Sequence, residues 1–113
     1  MATNYELRYS NHPDDAKKYD TERIRKEFLM EKVMSEGDIN MVYTMNDRLI
    51  VGGAVPTKDA LELGSIDPLK AGYFCERREL GIINVGGEGT VTVDNEAYTL
   101  KYKEALYVGK GSR

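Results

Sequence analysis

The stretch RRELGIINVGGEGTVTVDNEAYTL, from Arg77 to Leu100, decides the fold. At its centre Gly86-Gly87-Glu88-Gly89 directly follows an apolar run. A glycine cluster in that place either cradles a phosphate or bends one strand toward the next. A dinucleotide loop needs G-x-G-x-x-G opening a helix, and a P-loop needs a terminal Gly-Lys-Ser/Thr. Here the cluster runs into Thr90-Val91-Thr92-Val93, which is β-branched and alternating. No helix start follows, so no helix N-terminus is offered to an anion. The cluster reads as a bend between strands, with glycines chosen for positive φ.

Working outward, Leu80 to Val85 reads as a strand with a glycine inside it, and Asp94-Asn95-Glu96 as a turn. Tyr98, Leu100 and Tyr102 alternate through the next run, Lys103-Glu104 turns the chain, and Ala105 to Val108 forms a further strand. From Tyr73 onward the chain is therefore expected to be β throughout. Upstream, residues 41–45 and 49–53 are β-rich runs joined by Asn46-Asp47-Arg48, a hairpin pattern. Pro56 makes a central strand unfavourable at that point. Ala60 to Leu63 is read as a short strand, and Ser65 to Pro68 as a turn or a single helical turn. Asp20 or Thr21 caps one short helix, in which Ile24 and Phe28 share a face. Residues 1–19 read as an N-terminal arm or short edge strand, with Tyr5, Leu7 and Tyr9 alternating. Short strands at regular spacing indicate a sandwich or barrel.

The composition excludes several functions. The chain has 113 residues, enough for one small domain with a modest core. A net charge of -3 argues against nucleic acid, which calls for a clustered basic face. The Arg23 to Lys26 run is broken by Ile24 and followed by Glu27, as on a solvated helix face. One cysteine, Cys75, rules out a disulfide framework and a cysteine-rich zinc site. One histidine, His12, sits in the turn-like segment Asn11-His12-Pro13 and reads as an exposed tail residue. No apolar run approaches the length of a membrane span and no signal-peptide core opens the chain, so a soluble cytoplasmic protein is expected.

The same stretch carries a resemblance. Glu79, six residues and Gly86, then G-x-G-x-V-x-V-D, resembles the first motif of the cupin double-stranded β-helix. In that family two histidines precede the glutamate, as His-x-His-x-x-x-Glu. Their places here are taken by Tyr73 and Cys75. Gly109-Lys110-Gly111 stands where the second motif carries Pro-x-Gly. More specifically, residues 25–33 (RKEFLMEKV), 41–44 (MVYT), 47–56 (DRLIVGGAVP), 73–94 and 105–111 (ALYVGKG) resemble the 5-keto-4-deoxyuronate isomerase family. The resemblance covers nearly the whole chain from about Thr21.

That resemblance implies a mainly β fold, a cupin-like jelly-roll barrel or partial barrel with one short N-terminal helix. Beyond the arm read over residues 1–19, it implies a cupin-like domain over 20–113, the non-metal half, truncated at its C-terminus. The family's reaction converts 5-keto-4-deoxyuronate to 3-deoxy-D-glycero-2,5-hexodiulosonate in pectin catabolism. Its zinc site of three histidines and one glutamate belongs to the C-terminal half. No cofactor is thus expected in this segment, which alone is expected to be inactive. Exposed sheet edges of a truncated half point to self-association as a homo-oligomer. The rival reading is a free-standing, metal-free cupin acting as a sugar-binding or oligomerisation module.

Such an isomerisation needs a base alpha to a carbonyl, charge stabilisation, and a grip on the substrate carboxylate. Arg77, Arg78 and Glu79 form the one cluster with that chemistry, Glu79 as candidate base and Arg77 and Arg78 as candidate substrate-binding residues. Against this, strand alternation places only Arg77 and Glu79 on one face, where they form a structural pair. Tyr73 and Tyr107 are candidate pocket aromatics, and Cys75 reads as a small buried apolar residue.

Overall fold

The computed structural model describes residues 3–113. Residues 1 and 2 of the expected arm lie outside them. The chain forms two compact units, one running to Leu63 and one spanning Gly64–Arg113. Strands predominate, so the chain is mainly β.

The first unit is built on a three-stranded sheet of β1 (Thr3–Arg8), β2 (Ile39–Thr44) and β3 (Leu49–Ala54), in the order β1-β2-β3. β2 is the central strand. Ile39, Met41, Val42, Tyr43 and Thr44 are all buried, as a strand covered on both faces requires. The Thr44 hydroxyl is satisfied by accepting from the Asn46 backbone N–H at 3.1 Å. β3 pairs antiparallel to β2, and the loop between them holds Asp47 and Arg48 at positive φ, so the hairpin read from the sequence is present. β1 pairs parallel to β2, with Tyr5 opposite Met41. It is the edge strand that the alternation of Tyr5 and Leu7 suggests. Parallel pairing demands a long connection, and this one contains two helices.

One helix was expected, and the described residues contain two α-helices. α2 (Thr21–Phe28) is the expected one, with the Asp20 carboxylate accepting from the Arg23 N–H at 2.8 Å. α1 (Pro13–Ala16) is a single turn. Its signal was in the sequence: His12 caps it by accepting from Asp14 N–H, Pro13 occupies the first turn, and Asp14 and Asp15 complement the dipole. Asn11 links this segment to the rest of the unit. Its side chain donates to Glu27 Oε1 at 3.0 Å and to the Tyr19 hydroxyl at 3.1 Å, and it exchanges hydrogen bonds with Asn46.

The second unit is a long antiparallel ribbon interrupted once. β4 (Leu80–Ile83) pairs with β7 (Ala105–Val108), and β5 (Gly89–Val93) with β6 (Glu96–Leu100). Between the two ladders, five residues (84–88) face four (101–104), so one side carries an extra residue and the ribbon bends. Asp94 and Asn95, both at positive φ, make the tight turn at its tip. A 3₁₀ turn (Asp67–Leu69) precedes the ribbon, matching the helical turn expected near Pro68.

Three further expectations fail. Ala60 to Leu63 forms no strand. Tyr73 to Glu79 is a sequence of turns and coil rather than β, its backbone bonding instead to the chain's last residues and to itself. Gly86, Gly87 and Gly89 bend the chain as expected but none sits at positive φ, and a side chain at Gly87 or Gly89 would meet open space. Sterics at those sites do not demand glycine.

They do at Gly53. A Cβ there would lie 2.6 Å from the Val33 carbonyl oxygen and 2.7 Å from Met34 Sδ, because the chain after α2 runs directly over β3. The backbone oxygen cannot move aside without shifting the segment. Gly53→Ala should therefore destabilise by about 1–3 kcal/mol, read as a lowered denaturation midpoint. Gly81→Ala, where the added Cβ meets nothing within 4 Å, should not. Equal midpoints for the two variants would contradict this packing.

Candidate functional site

The ribbon's outer ladder positions the chemistry-bearing side chains. Tyr107 in β7 lies opposite Gly81 in β4, two residues beyond Glu79. The Tyr107 hydroxyl donates diagonally to Glu79 Oε2. A second pair of the same kind sits in β6, where the Tyr98 hydroxyl donates to Glu96 Oε2 at 2.7 Å. Both tyrosines, with Asp94 and Glu96, line a cavity of about 240 Å³.

Each carboxylate holds its phenol in the protonated form. Tyr107 is raised above its ordinary 10 by the Glu79 hydrogen bond first, then by burial and the Glu79 charge. Tyr98 is raised by its hydrogen bond to Glu96 and then by the Glu96 charge. The cavity therefore presents hydroxyls and carboxylates. That surface suits neutral hydroxyl groups of a ligand and repels a ligand carboxylate.

Of the residues singled out in the sequence, the structure brings Glu79 and Tyr107 together and sends the arginines elsewhere. Arg77 does not pair with Glu79. Its Nη2 donates to the carbonyls of Leu69 at 2.6 Å and Lys70 at 2.8 Å, and its Nη1 to Glu76 at 3.1 Å. The alternation argument fails because this segment is not a strand. Arg77 instead closes the C-terminal end of the 3₁₀ turn, where Lys70 sits at positive φ. Arg78 is half-buried, and its charge opposes the rise that burial gives the Cys75 thiol. Cys75 is buried, as expected, and its raised pKa leaves it a thiol rather than a nucleophile. Its carbonyl accepts from the Gly111 N–H at 2.6 Å. The Tyr73 hydroxyl donates to the Gly111 carbonyl at 3.3 Å, and the Arg113 guanidinium stacks 4.3 Å from the Tyr73 ring centre. Tyr73 and Cys75 thus hold the segment after β7.

A zinc site does not fit here. Among the described residues no group of three His, Cys, Asp or Glu is arranged to hold a metal. Of the positions that the sequence resemblance set against metal ligands, Tyr73 and Cys75 are engaged as above and Glu79 is bonded to Tyr107. Sequence reasoning missed the Glu96–Tyr98 pair, although Glu-x-Tyr in a strand puts both side chains on one face.

No protein-family profile matches the chain. Individual proteins do. A 4-deoxy-L-threo-5-hexosulose-uronate ketol-isomerase of Bacteroides fragilis is 59% identical over 113 residues, all of this chain and 40% of that protein. Ketol-isomerase 1 of Bacteroides thetaiotaomicron is 57% identical over the same span, again 40% of its length. The ketol-isomerase of Halalkalibacterium halodurans is 50% identical over 108 residues, 96% of this chain and 39% of that protein. The chain matches the N-terminal part of these ketol-isomerases. It spans about 40% of the length of the curated relatives it matches.

The tyrosine pairs can be checked directly. In Glu79→Ala, Tyr107 should titrate closer to 10 while Tyr98 keeps its raised value, as followed by carbon NMR of the tyrosine rings against pH. An unchanged Tyr107 titration would show that the pair does not form.

Proposed function

We propose that the chain is the N-terminal, non-metal domain of a ketol-isomerase that converts 5-keto-4-deoxyuronate to 3-deoxy-D-glycero-2,5-hexodiulosonate in the cytoplasm. The observation that carries this reading is identity of 59% over every residue of the chain to a protein so named. The bent ribbon, with its glycine-marked interruption and tight Asp94-Asn95 tip, supports a cupin-like jelly-roll as the fold to which these strands contribute.

On this reading the segment supplies scaffold rather than the chemical step. The reaction needs a base near a carbonyl and stabilisation of enediolate charge. Glu79 is the one candidate base, and its carboxylate already accepts from Tyr107. Arg77, the candidate carboxylate clamp, is spent on the carbonyls of Leu69 and Lys70. Zinc, expected in the family's C-terminal half, has no ligand set among the described residues of this chain.

Assembly with other copies fits the same reading. Each ladder of the ribbon has only two strands, so every strand keeps one unpaired edge. Ile83 is 69% exposed and Tyr107 68%, leaving apolar surface on β4 and β7 for a neighbour to cover.

Assay of the purified chain with the unsaturated-uronate product and added zinc should give no turnover. The same chain continued into a histidine-bearing C-terminal half should turn over. Turnover by the 113-residue chain alone would overturn the scaffold assignment.

A further inference from the structure

The first unit holds a basic cavity that the isomerase reading does not use. Arg8 ends β1 with its side chain only 11% exposed. Glu6, two residues earlier on the same face, accepts from Arg8 Nε at 2.8 Å and from Nη2 at 3.4 Å. The third nitrogen, Nη1, is buried and has no hydrogen-bond partner among the described residues.

Arg8 lines a cavity of about 430 Å³, a size common for small-molecule sites. The end of α2 and the chain after it bring three more cations to its wall: Arg25, Lys26 and Lys32. Two carboxylates also line it. Glu6 is taken by Arg8, and Glu31 by Arg25 at 2.6 Å. Four cations against two anions leave an excess of two positive charges. Neither Lys26 nor Lys32 forms a salt bridge among the described residues. The remaining wall is apolar, from Leu29, Met30, Val33 and Val42.

We propose that this cavity binds a small organic dianion, a dicarboxylate or a phosphate monoester, whose charge faces Arg8, Lys26 and Lys32 and whose carbon body lies against Leu29 and Met30. Two excess charges call for a dianion, and the apolar wall calls for an organic body rather than a bare ion. The acidic cavity of the second unit, lined by Asp94 and Glu96, has the opposite preference.

The test is calorimetric titration of the chain at low salt with adipate, phenyl phosphate, inorganic phosphate and uncharged adipamide. The expected result is saturable one-site binding of adipate or phenyl phosphate. Whichever binds more tightly identifies the carboxylate or the phosphate source. Inorganic phosphate should bind more weakly, and adipamide not at all. The double variant Lys26→Met/Lys32→Met removes two exposed charges and should fold normally. It should bind about tenfold or more weakly, as expected for lost charge-assisted contacts. Arg8→Gln should abolish binding; if it fails to fold, the lysine variant carries the test. No saturable heat with either organic dianion, equal affinity for inorganic phosphate, or equal affinity in the lysine variant would overturn the proposal.

Discussion

The second unit depends on one side chain at the bend of its ribbon. Asn84 follows β4 where the ladder breaks. Its Nδ2 donates to the carbonyls of Gly87 and Leu100, both at 2.9 Å, and its Oδ1 accepts from the Gly86 N–H at 2.9 Å. Its backbone meanwhile bonds across the ribbon, N–H to Glu104 and carbonyl from Lys103. One residue thus satisfies polar groups on both sides of an interruption that would otherwise leave them open. The extra residue in the 84–88 segment is accommodated because Asn84 stands in for the missing ladder.

Everything that resembles a site in this unit is set by that bend and the two ladders flanking it. The outer ladder brings Tyr107 to Glu79, and the inner one carries Glu96 and Tyr98. The segment after β7 then folds back, its Arg113 exchanging hydrogen bonds with Asp94 and stacking on Tyr73. The two units present opposite electrostatics. One cavity is walled by phenols and carboxylates, the other by an excess of cations. A single anionic ligand would not be held by both.

Much of the architecture was legible in the residues. Strict alternation gave β5, the Asp94-Asn95 pair gave its turn, and the β-rich runs at 41–45 and 49–53 gave the β2–β3 hairpin, though not the burial of β2 at the centre of its sheet. These are local patterns, and local patterns survive folding when burial agrees with them. The failures share a cause. Tyr73 to Glu79 has strand-like composition, but its partners are a 3₁₀ turn and the chain's last residues, far away in sequence. Arg77 was weighed as a substrate clamp or as a structural partner of Glu79, whereas its acceptors are Glu76 and two carbonyls that no pattern reveals. The Arg8 cavity was invisible for the same reason, since it joins an edge strand to the segment after a helix some twenty residues later. The glycine cluster was read correctly as a bend but for the wrong conformational reason, because the bend is held by Asn84 rather than by positive φ.

Amide hydrogen exchange on Asn84→Ala tests that account most directly. If Asn84 couples the two ladders, protection should fall together in β4, β5, β6 and β7, with Gly86 and Lys103 among the first amides to exchange. A loss of protection confined to Gly86, with both ladders exchanging as in the unaltered chain, would contradict it.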